Sequence, residues 1–354
     1  MDDRLASVGK VSAKIFDEVI LPRLGGPSRD VLVGPQVGVD VGIVSLGNGQ
    51  VLVATTDPLY VLPELGWEKA GWFAIQILAS DAATSGLAPN YITIDLNLPT
   101  SFPHDDLEVM WTAMHRACKD LGIAIITGHT GHYEGCSFPM IGGATVFCVG
   151  PEDRYVIPSM ARPGDKVIIT KGAAIETAGT LATVFRDRVA AACGDAFAEE
   201  AGSLFWQMTV VKDALTAVSV GVREDGVTSM HDATEGGVWG ALVEVARASS
   251  VGMRIDKQAI LVPEVVRKTC ELFGIDPYPA SSEGTLIITC KAEKADAVIA
   301  RLSDEGIASS IVGEVLPLKE GLSYVEGGAM RSLEAPAQDP FWPAYRRAAA
   351  EVQR

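Results

Sequence analysis

The spacing of apolar residues divides the chain into alternating helices and strands. The clearest amphipathic helix covers residues 105–121, where Leu107, Met110, Met114 and Leu121 recur at intervals of three and four. Similar spacing predicts further helices over residues 10–24, 68–85, 175–188, 197–220, 235–249, 263–273 and 292–305. Short apolar runs between turn residues predict strands over 30–34, 39–46, 51–55, 91–98, 123–127, 140–149, 166–170, 227–231, 252–255, 285–290 and 309–315.

The order of these elements predicts an α+β fold with two domains. Residues 151–165 are polar and contain three prolines, and the strand pattern restarts at residue 166. We therefore place the domains at residues 1–155 and 156–354. Two layers in each domain fit the mixture of helices and strands better than one doubly wound sheet.

The net charge of the chain limits the kinds of partner that the protein can bind. Lys and Arg number 29 and Asp and Glu 45, so the formal net charge is −16. Nucleic acids and anionic lipid surfaces attract basic surfaces, so we expect neither as a partner. The longest stretch without a charged residue, 135–151, is broken by glycines and prolines and is too short to span a membrane. With an acidic N-terminus that lacks an apolar leader, the sequence predicts a cytoplasmic protein.

Several common catalytic signatures are missing from the sequence. It has no phosphate-binding loop of the GxxxxGK type, no GxGxxG between a strand and a helix, and no GxSxG elbow. The six cysteines are widely spaced and contain no CxxC pair, which is untypical of a disulfide scaffold or a zinc site. A P-loop enzyme, a Rossmann dehydrogenase and a serine hydrolase are therefore disfavoured.

Three aspartates lie in or at the end of apolar segments, where an unpaired carboxylate is costly. They are Asp40 in GVDVG, Asp57 in VATTDP and Asp81 in LASDAATSG. Carboxylates that converge from strand ends and a helix are a common way to hold Mg²⁺, because this ion prefers oxygen ligands and keeps positions for nucleotide phosphates. Each aspartate could instead cap a helix or turn locally. Taken together, they favour a magnesium site.

A glycine-rich segment, residues 127–136, follows a predicted strand and is predicted to be a loop. It contains His129 and His132, two of the five histidines in the chain. Such a loop can direct backbone N–H groups at phosphate, with His129 as a hydrogen-bonding partner or proton carrier. A zinc site made by these histidines and Cys136 would match no usual ligand spacing. A polar loop with a packed histidine is the alternative.

Another candidate site is the sequence HDATEGG, residues 231–237, between a predicted strand and the predicted helix 235–249. A helix N-terminus preceded by glycines is suited to binding anions through backbone N–H groups and the helix dipole. In the alternative interpretation, Thr234 caps the helix and Asp232 forms the turn. The turn at residues 281–285 could complete a substrate pocket.

The order of seven motifs resembles one ATP-binding superfamily. Its members include aminoimidazole ribonucleotide (AIR) synthetase, thiamine-monophosphate kinase, selenophosphate synthetase and the hydrogenase maturation factor HypE. The motifs are GVDVGIV, VATTDPLY, ASDAATSGLAP, TGHTGHYEG, RPGDKVIITKG, HDATEGGVWGALVEVA and SSEGTLII. The helix start HDATEGG and the turn SSEGT are most similar to HypE-type proteins.

This resemblance implies an AIR synthetase-like fold, with an N-terminal domain that dimerises through its sheet and a C-terminal α/β two-layer domain over the cleft. ATP and magnesium would lie along the N-terminal domain near the dimer interface. Asp40, Asp57 and Asp81 match the family's metal- and phosphate-handling aspartates. The implied protein is a homodimer.

The sequence also departs from the family pattern. His129 stands where HypE-type members have an aspartate, and Val39 stands where the family usually has an acidic residue. HypE carries its carbamoyl group on a C-terminal cysteine, whereas this chain ends in AAAEVQR and its last cysteine is Cys290. Selenophosphate synthetases use an N-terminal cysteine or selenocysteine, and the first cysteine here is Cys118. We therefore expect neither of those reactions in its known form.

The resulting prediction is a magnesium-dependent, ATP-using enzyme that phosphorylates an amide-like or other oxygen nucleophile, with an acceptor that the sequence does not identify. The alternatives are a non-catalytic nucleotide-binding scaffold in metalloenzyme maturation, and AIR synthetase or thiamine-monophosphate kinase activity. The predicted ATP and phosphate contacts are Lys10, Asp57, Gly128, Thr130, Gly236 and Gly237. The predicted catalytic residues are His129, His231 and Asp232, and the predicted metal ligands are Asp40, Asp57 and Asp81.

Overall fold

The computed structural model describes residues 11 and 13–352, and the strands in them form two sheets. The first sheet has six strands in the order β1-β2-β3-β6-β4-β5. Strands β4 and β5 pair in parallel, and the other neighbours pair antiparallel. These strands are β1 (Val31–Val33), β2 (Gly42–Gly47), β3 (Gln50–Tyr60), β4 (Pro89–Pro99), β5 (Ala124–Tyr133) and β6 (Met140–Pro151).

Two long helices cover the inner face of this sheet, α2 (Trp67–Ala83) and α3 (His104–Asp120). Alternate residues of β3, β4 and β6 are buried because successive side chains of a strand point to opposite faces. Helix α2 is buried on nearly all sides, since it also contacts the second half of the chain. The predicted helix 10–24 is irregular where it is described: α1 (Ala13–Ile15) continues into a π turn and a 3₁₀ turn that ends at Arg23.

The second sheet has seven strands in the order β13-β12-β9-β11-β7-β10-β8. They are β7 (Lys166–Thr170), β8 (Val227–Asp232), β9 (Val251–Asp256), β10 (Leu286–Cys290), β11 (Ser309–Pro317), β12 (Leu322–Glu326) and β13 (Ala329–Ser332). Its helices are α4 (Ile175–Val184), α5 (Arg186–Cys193), α6 (Asp195–Ser203), α7 (Val211–Val218), α8 (Gly237–Ala248), α9 (Glu264–Phe273), α10 (Ala295–Asp304) and α11 (Phe341–Val352). Strands β8 and β10 are buried throughout. Strand β10 is correspondingly apolar, whereas the Thr228 and Ser229 hydroxyls of β8 are hydrogen-bonded to Thr289 of β10.

The two halves share one hydrophobic core. It joins buried residues of α2 and the first sheet to one face of the second sheet, and a second cluster lies between the other face and α8. The predicted α+β fold with two domains is confirmed. The predicted boundary at residue 155 falls between Pro151, the last residue of the first sheet, and Lys166, the first residue of the second. No described helix is long and apolar enough to cross a membrane.

The predicted helix 197–220 is wrong in its middle, where the chain leaves the helical conformation at residues 208–210. The Val210 N–H donates to Ser80 Oγ on α2 at 3.0 Å, and Lys171 Nζ donates to the Thr209 carbonyl at 2.6 Å. Lys171 Nζ also lies 3.0 Å from Asp213 Oδ1 on α7. These tertiary contacts use backbone groups of the break, so they compete with the helical hydrogen bonds that local spacing predicts.

Candidate functional site

A cavity of about 500 Å³ opens between the two halves of the chain. Both halves contribute carboxylates to its wall. They are Asp40, Asp57, Asp81, Glu176, Glu235 and Glu283. The described residues that line it include no Lys, Arg or His. The cavity is therefore strongly acidic, and a carboxylate-rich cavity of this kind attracts cations.

The three predicted metal ligands come together in this cavity. Asp57 lies on β3 opposite Ala144 of β6, and it is half-buried. Asp81 lies near the end of α2 and is only 6% exposed. Asp40 lies in the connection between β1 and β2. A strand, a helix and a loop of the first half thus direct carboxylates toward one space, as the apolar settings of these aspartates predict.

The carboxylates interact electrostatically. Burial raises the pKa of Asp81 well above its usual value, and the charges of Asp232, Asp40, Asp57 and Glu283 raise it further. Like charges at close range disfavour ionisation of each other, and a bound cation relieves this repulsion. The shift therefore indicates a set of groups suited to binding positive charge.

The second half supplies two further acidic groups: Glu283, in the turn 281–285 that was predicted to complete a substrate pocket, and Glu176, which was not predicted. Glu176 lies in the first turn of α4, and its Oε2 accepts the backbone N–H of Glu283 at 3.0 Å. Burial raises the pKa of Glu176 to about 7; the hydrogen bond from Glu283 opposes this shift, and nearby carboxylates add to it. Glu283 is 1% exposed, and burial together with the charges of Asp232 and Glu176 raises its pKa well above normal. The sequence does mark Glu176, because it is the one charged residue in α4.

His231 joins the two halves through its ion pair with Asp40 and also pairs with two carboxylates of its own half. Its Nδ1 lies 3.2 Å from Asp40 Oδ2 and 3.6 Å from Asp232 Oδ1, and its Nε2 lies 2.8 Å from Glu244 Oε2 on α8. Burial opposes the charged imidazole, but Asp232, Asp40 and Glu244 outweigh it and hold the pKa of His231 well above its usual value. Nδ1 of His231 and oxygens of Asp40 and Asp232 lie within 4.8 Å of one another, the spacing of a metal-binding group. His231 and Asp232 adjoin the cavity but do not line it.

The N-terminus of α8 is capped by the protein itself. The Gly236 N–H donates to Asp339 Oδ2 at 2.9 Å, and the Gly237 N–H donates to the Thr234 carbonyl at 3.0 Å. Asp339 Oδ2 also accepts the hydroxyl of Ser281 at 2.6 Å. We predicted that Gly236 and Gly237 bind phosphate, but in this arrangement both N–H groups are engaged. A carboxylate from the C-terminal segment takes the position where an external anion was expected.

The predicted loop at residues 127–136 is wrong for its first part, because residues 127–133 continue strand β5. This strand pairs in parallel with β4, and it places Gly128 opposite Ile94 and His129 opposite Asp95. In the sheet, β5 is an edge strand separated from β3 by β6 and β4. Gly128, His129 and Thr130 therefore do not line the cavity of their own chain. The Nε2 of His129 instead lies 2.5 Å from Tyr133 Oη on the exposed strand.

Gly128 has a structural reason to be glycine. A Cβ atom there would lie 2.2 Å from the Ile94 carbonyl oxygen, which is backbone and cannot turn away. We expect Gly128→Ala to lower the free energy of unfolding by about 1–3 kcal/mol, measured by chemical denaturation. Gly26→Ala is the control, because no atom lies within 4 Å of its added Cβ. Equal stability of the two variants would contradict the close approach of β5 to β4.

Two other predictions complete the survey of the site. Lys10, a predicted phosphate contact, lies outside the described residues. None of the six cysteines, all of which are described, lines the cavity. Cys290 is fully buried, and burial raises the pKa of its thiol to about 12.

The fold and the cavity define a two-domain α+β protein with an acidic interdomain site. Residues 38–150 match the family described as AIR synthase related protein, N-terminal domain, and residues 162–325 match its C-terminal domain. The chain therefore belongs to the AIR synthase related family, which confirms the resemblance and the fold class.

Curated relatives are HypE-like. Carbamoyl dehydratase HypE of Azotobacter vinelandii is 29% identical over 280 residues, which are 77% of this chain and 76% of that protein. Carbamoyl dehydratase HypE of Escherichia coli (strain K12) is 28% identical over 305 residues, 84% of this chain and 85% of that protein. The similarity thus covers most of both proteins.

Solved structures agree on the fold. The crystal structure of E. coli HypE has a TM-score of 0.69 and 26% identity, and the match covers 82% of this chain and 87% of that one. HypE in complex with ATP has a TM-score of 0.66 and 22% identity, with coverages of 95% and 97%. AaThiL complexed with AMPPCP and TMP has a TM-score of 0.67 and 21% identity, with coverages of 85% and 90%.

Proposed function

We propose that this chain is a magnesium-dependent enzyme that uses ATP to phosphorylate an amide-like or other oxygen nucleophile. The observation that carries this proposal is the interdomain cavity with six carboxylates and no basic residue among its described lining. The similarity to carbamoyl dehydratase HypE and the shared fold with HypE bound to ATP support it. A cytoplasmic location, the prediction from the sequence, is consistent with ATP as the substrate.

The residues present fit magnesium. Asp40, Asp57 and Asp81 offer only carboxylate oxygens, which are the ligands that this hard cation prefers, and the pKa of Asp81 is raised by neighbouring carboxylates. These three residues would hold the ion, and when bound it neutralises phosphate charge during transfer. ATP alone is an anion, so the same carboxylates would repel it.

The reaction requires an acceptor oxygen, a phosphoryl donor and a proton acceptor. The acceptor oxygen attacks the γ-phosphorus of ATP, the bond from that phosphorus to the β,γ-bridging oxygen breaks, and ADP leaves with the bond electrons. We propose that Glu283, which lines the cavity, takes up the proton that the acceptor group loses. Burial and the charges of Asp232 and Glu176 raise the pKa of Glu283, which increases its affinity for the proton that it receives.

We also propose that the chain forms a homodimer through the outer face of the first sheet. Large apolar side chains are exposed on this sheet and its connections, among them Val31, Leu46, Tyr91, Ile126 and Val149. Extended apolar surfaces of this kind usually mark interaction sites. Since His129 lies on the edge strand of this sheet, its predicted role at the phosphate requires the dimer to bring it to the partner's cavity.

A nucleotide-binding scaffold is the second candidate. The observation that favours it is the bond from Gly236 to Asp339, since the protein's own carboxylate caps the helix that was expected to bind phosphate. A scaffold would bind nucleotide without forming ADP in the presence of any acceptor. Formation of ADP with one small amide or hydroxyl compound, including thiamine monophosphate, would exclude the scaffold.

Calorimetric titration with ATP, together with the mass in solution, tests the proposal. We expect a dissociation constant in the micromolar to millimolar range with magnesium, and no measurable binding in EDTA. We expect a mass of twice the 37.4 kDa of one chain. Equal binding with and without magnesium would overturn the metal assignment, and no binding in either condition would overturn ATP use.

A further inference from the structure

One part of the cavity combines aromatic rings with carboxylates. We call it the aromatic–acidic subsite and define it by Tyr60, Glu176, Glu283 and Trp342, all of which line the cavity. The rings of Tyr60 and Trp342 have centroids 6.0 Å apart and planes at 71° to each other. Burial raises the pKa of Tyr60, and the charge of Glu176 raises it further, so these two groups interact electrostatically. Trp342 comes from α11, so the C-terminal helix forms one wall of the subsite.

The Glu283 carboxylate is hydrogen-bonded by the Ser80 hydroxyl and the Gly284 N–H, and Oε2 is its oxygen that lacks a close donor. Its side chain is 1% exposed, and Oε2 has no hydrogen-bond partner among the described residues. Its Oε1 accepts the Gly284 N–H at 3.2 Å. A buried carboxylate oxygen without a donor is costly, and natural proteins keep such groups mainly where a ligand completes them. The subsite therefore requires a ligand that donates hydrogen bonds or carries positive charge.

The subsite adjoins the proposed magnesium site through Glu283, whose charge acts on Asp81, and it extends from there to Glu176 and Trp342 of the second half. The carboxylates that raise the pKa of Glu176 are Asp339, Glu235 and Asp232. Those that raise the pKa of Asp81 are Asp232, Asp40, Asp57 and Glu283. Glu176 thus has a different set of acidic neighbours, with only Asp232 in common. Glu176, whose pKa burial raises to about 7, is not among the carboxylates that act on Asp81, and a positively charged group beside it would favour its ionised form.

The aromatic rings favour an organic cation over a second metal ion. The faces of Tyr and Trp rings attract ammonium and guanidinium groups. A divalent metal ion instead prefers oxygen ligands on all sides, which ring carbons do not provide. We infer that the aromatic–acidic subsite binds the positively charged group of the second substrate, a small organic ammonium or guanidinium compound whose hydroxyl or amide oxygen is phosphorylated. This inference rests on the proposed function.

Binding of simple cations tests the inference. The protein is titrated by calorimetry with choline, tetramethylammonium, guanidinium and glycinamide, in the presence of magnesium and a non-hydrolysable ATP analogue. The neutral isostere of choline, 3,3-dimethylbutan-1-ol, is the matched comparison. We expect at least one cation to bind in the millimolar range or tighter, and choline to bind about tenfold more tightly than its isostere.

Substitutions in the aromatic–acidic subsite test whether the cation binds there. Glu176→Gln and Trp342→Leu should each weaken binding of the best cation about tenfold or more, whereas Trp342→Phe, which keeps a ring, should weaken it less. Glu199→Gln on α6 is the control, because that carboxylate is exposed and lies outside the cavity. Thermal unfolding midpoints near that of the unchanged protein show that each variant is folded.

The outcomes separate this inference from the proposed function. If magnesium–ATP binds but no cation does, or if the neutral isostere binds as well as choline, the inference is overturned and the proposed function stands. The inference is also overturned if Glu176→Gln loses Mg²⁺ binding but keeps cation binding, because the subsite is then a metal site. If magnesium–ATP does not bind, the proposed function fails, and titration of the same cations without nucleotide decides the subsite by the same criteria.

Discussion

Replacing Asp57 by asparagine is expected to reduce the affinity for magnesium–ATP by about 100-fold or more. Asp57 is part of β3, where its backbone pairs with Ala144, and asparagine has nearly the same shape. The change therefore preserves the strand and removes one charged oxygen ligand. The loss follows because an amide oxygen attracts Mg²⁺ less strongly than a carboxylate does.

The same substitution should stabilise the protein when magnesium and nucleotide are absent. The charge of Asp57 is one of those that raise the pKa of buried Asp81, so its removal relieves repulsion in the cavity. We expect the free energy of unfolding in EDTA to rise by about 1 kcal/mol in Asp57→Asn. Weaker binding combined with a more stable empty fold is characteristic of a ligand-binding group and untypical of a purely structural one.

Two measurements check this pair of effects. Calorimetry with magnesium and a non-hydrolysable ATP analogue gives the affinity, and chemical denaturation in EDTA gives the stability. Asp304→Asn is the matched control, because that aspartate is exposed on α10. Unchanged affinity in Asp57→Asn would remove Asp57 from the metal site. A less stable empty fold would show that Asp57 supports the structure instead.

The convergence of Asp40, Asp57 and Asp81 was predictable because its signal is local. Each is an acidic residue in an apolar segment, and the cost of burying a carboxylate makes such a position informative in the sequence itself. The amphipathic helix α3 was predictable for a similar reason, since its buried positions Met110 and Met114 follow the period of the helix. Local sequence patterns were therefore sufficient to predict the three aspartates and helix α3.

The continuation of strand β5 through residues 127–133 was not predictable from local pattern. Its segment TGHTGHY is rich in glycine and polar residues, which disfavour strands by intrinsic preference. It is a strand because β4 supplies a parallel partner, and because Gly128 allows the backbone to approach Ile94. Pairing between segments some 30 residues apart is a tertiary effect, and a window of neighbouring residues does not contain it.

In the second half of the cavity wall, the turn 281–285 with Glu283 was predicted, whereas Glu176 and Trp342 were not. Glu176, Glu283 and Trp342 are each more than 50 residues from the next along the chain, and the fold alone brings them to one cavity. The C-terminal segment carries a helical pattern in its own sequence. Its apolar residues Phe341, Tyr345 and Ala348 are spaced by four and three, which is typical of a helix with one buried face.

His231→Ala is expected to lower the free energy of unfolding by about 3 kcal/mol. The imidazole pairs with Asp40 from the first half of the chain and with Glu244 on α8, at 3.2 and 2.8 Å. Its side chain is only 3% exposed. Removal of the ring leaves Asp40, Asp232 and Glu244 near one another without the group that balances them. Their repulsion then opposes the contact between the two halves.

Chemical denaturation at constant pH measures this effect, and His104→Ala is the control because the His104 side chain is 86% exposed. That control should change the free energy of unfolding by less than about 0.5 kcal/mol. The background variant Glu244→Gln isolates the pair: His231→Ala should cost less in that background, because one partner carboxylate is already neutral. An equal cost in both backgrounds would show that the pair with Glu244, which lies within the second half, does not contribute, and the same comparison in an Asp40→Asn background tests the pair that joins the two halves.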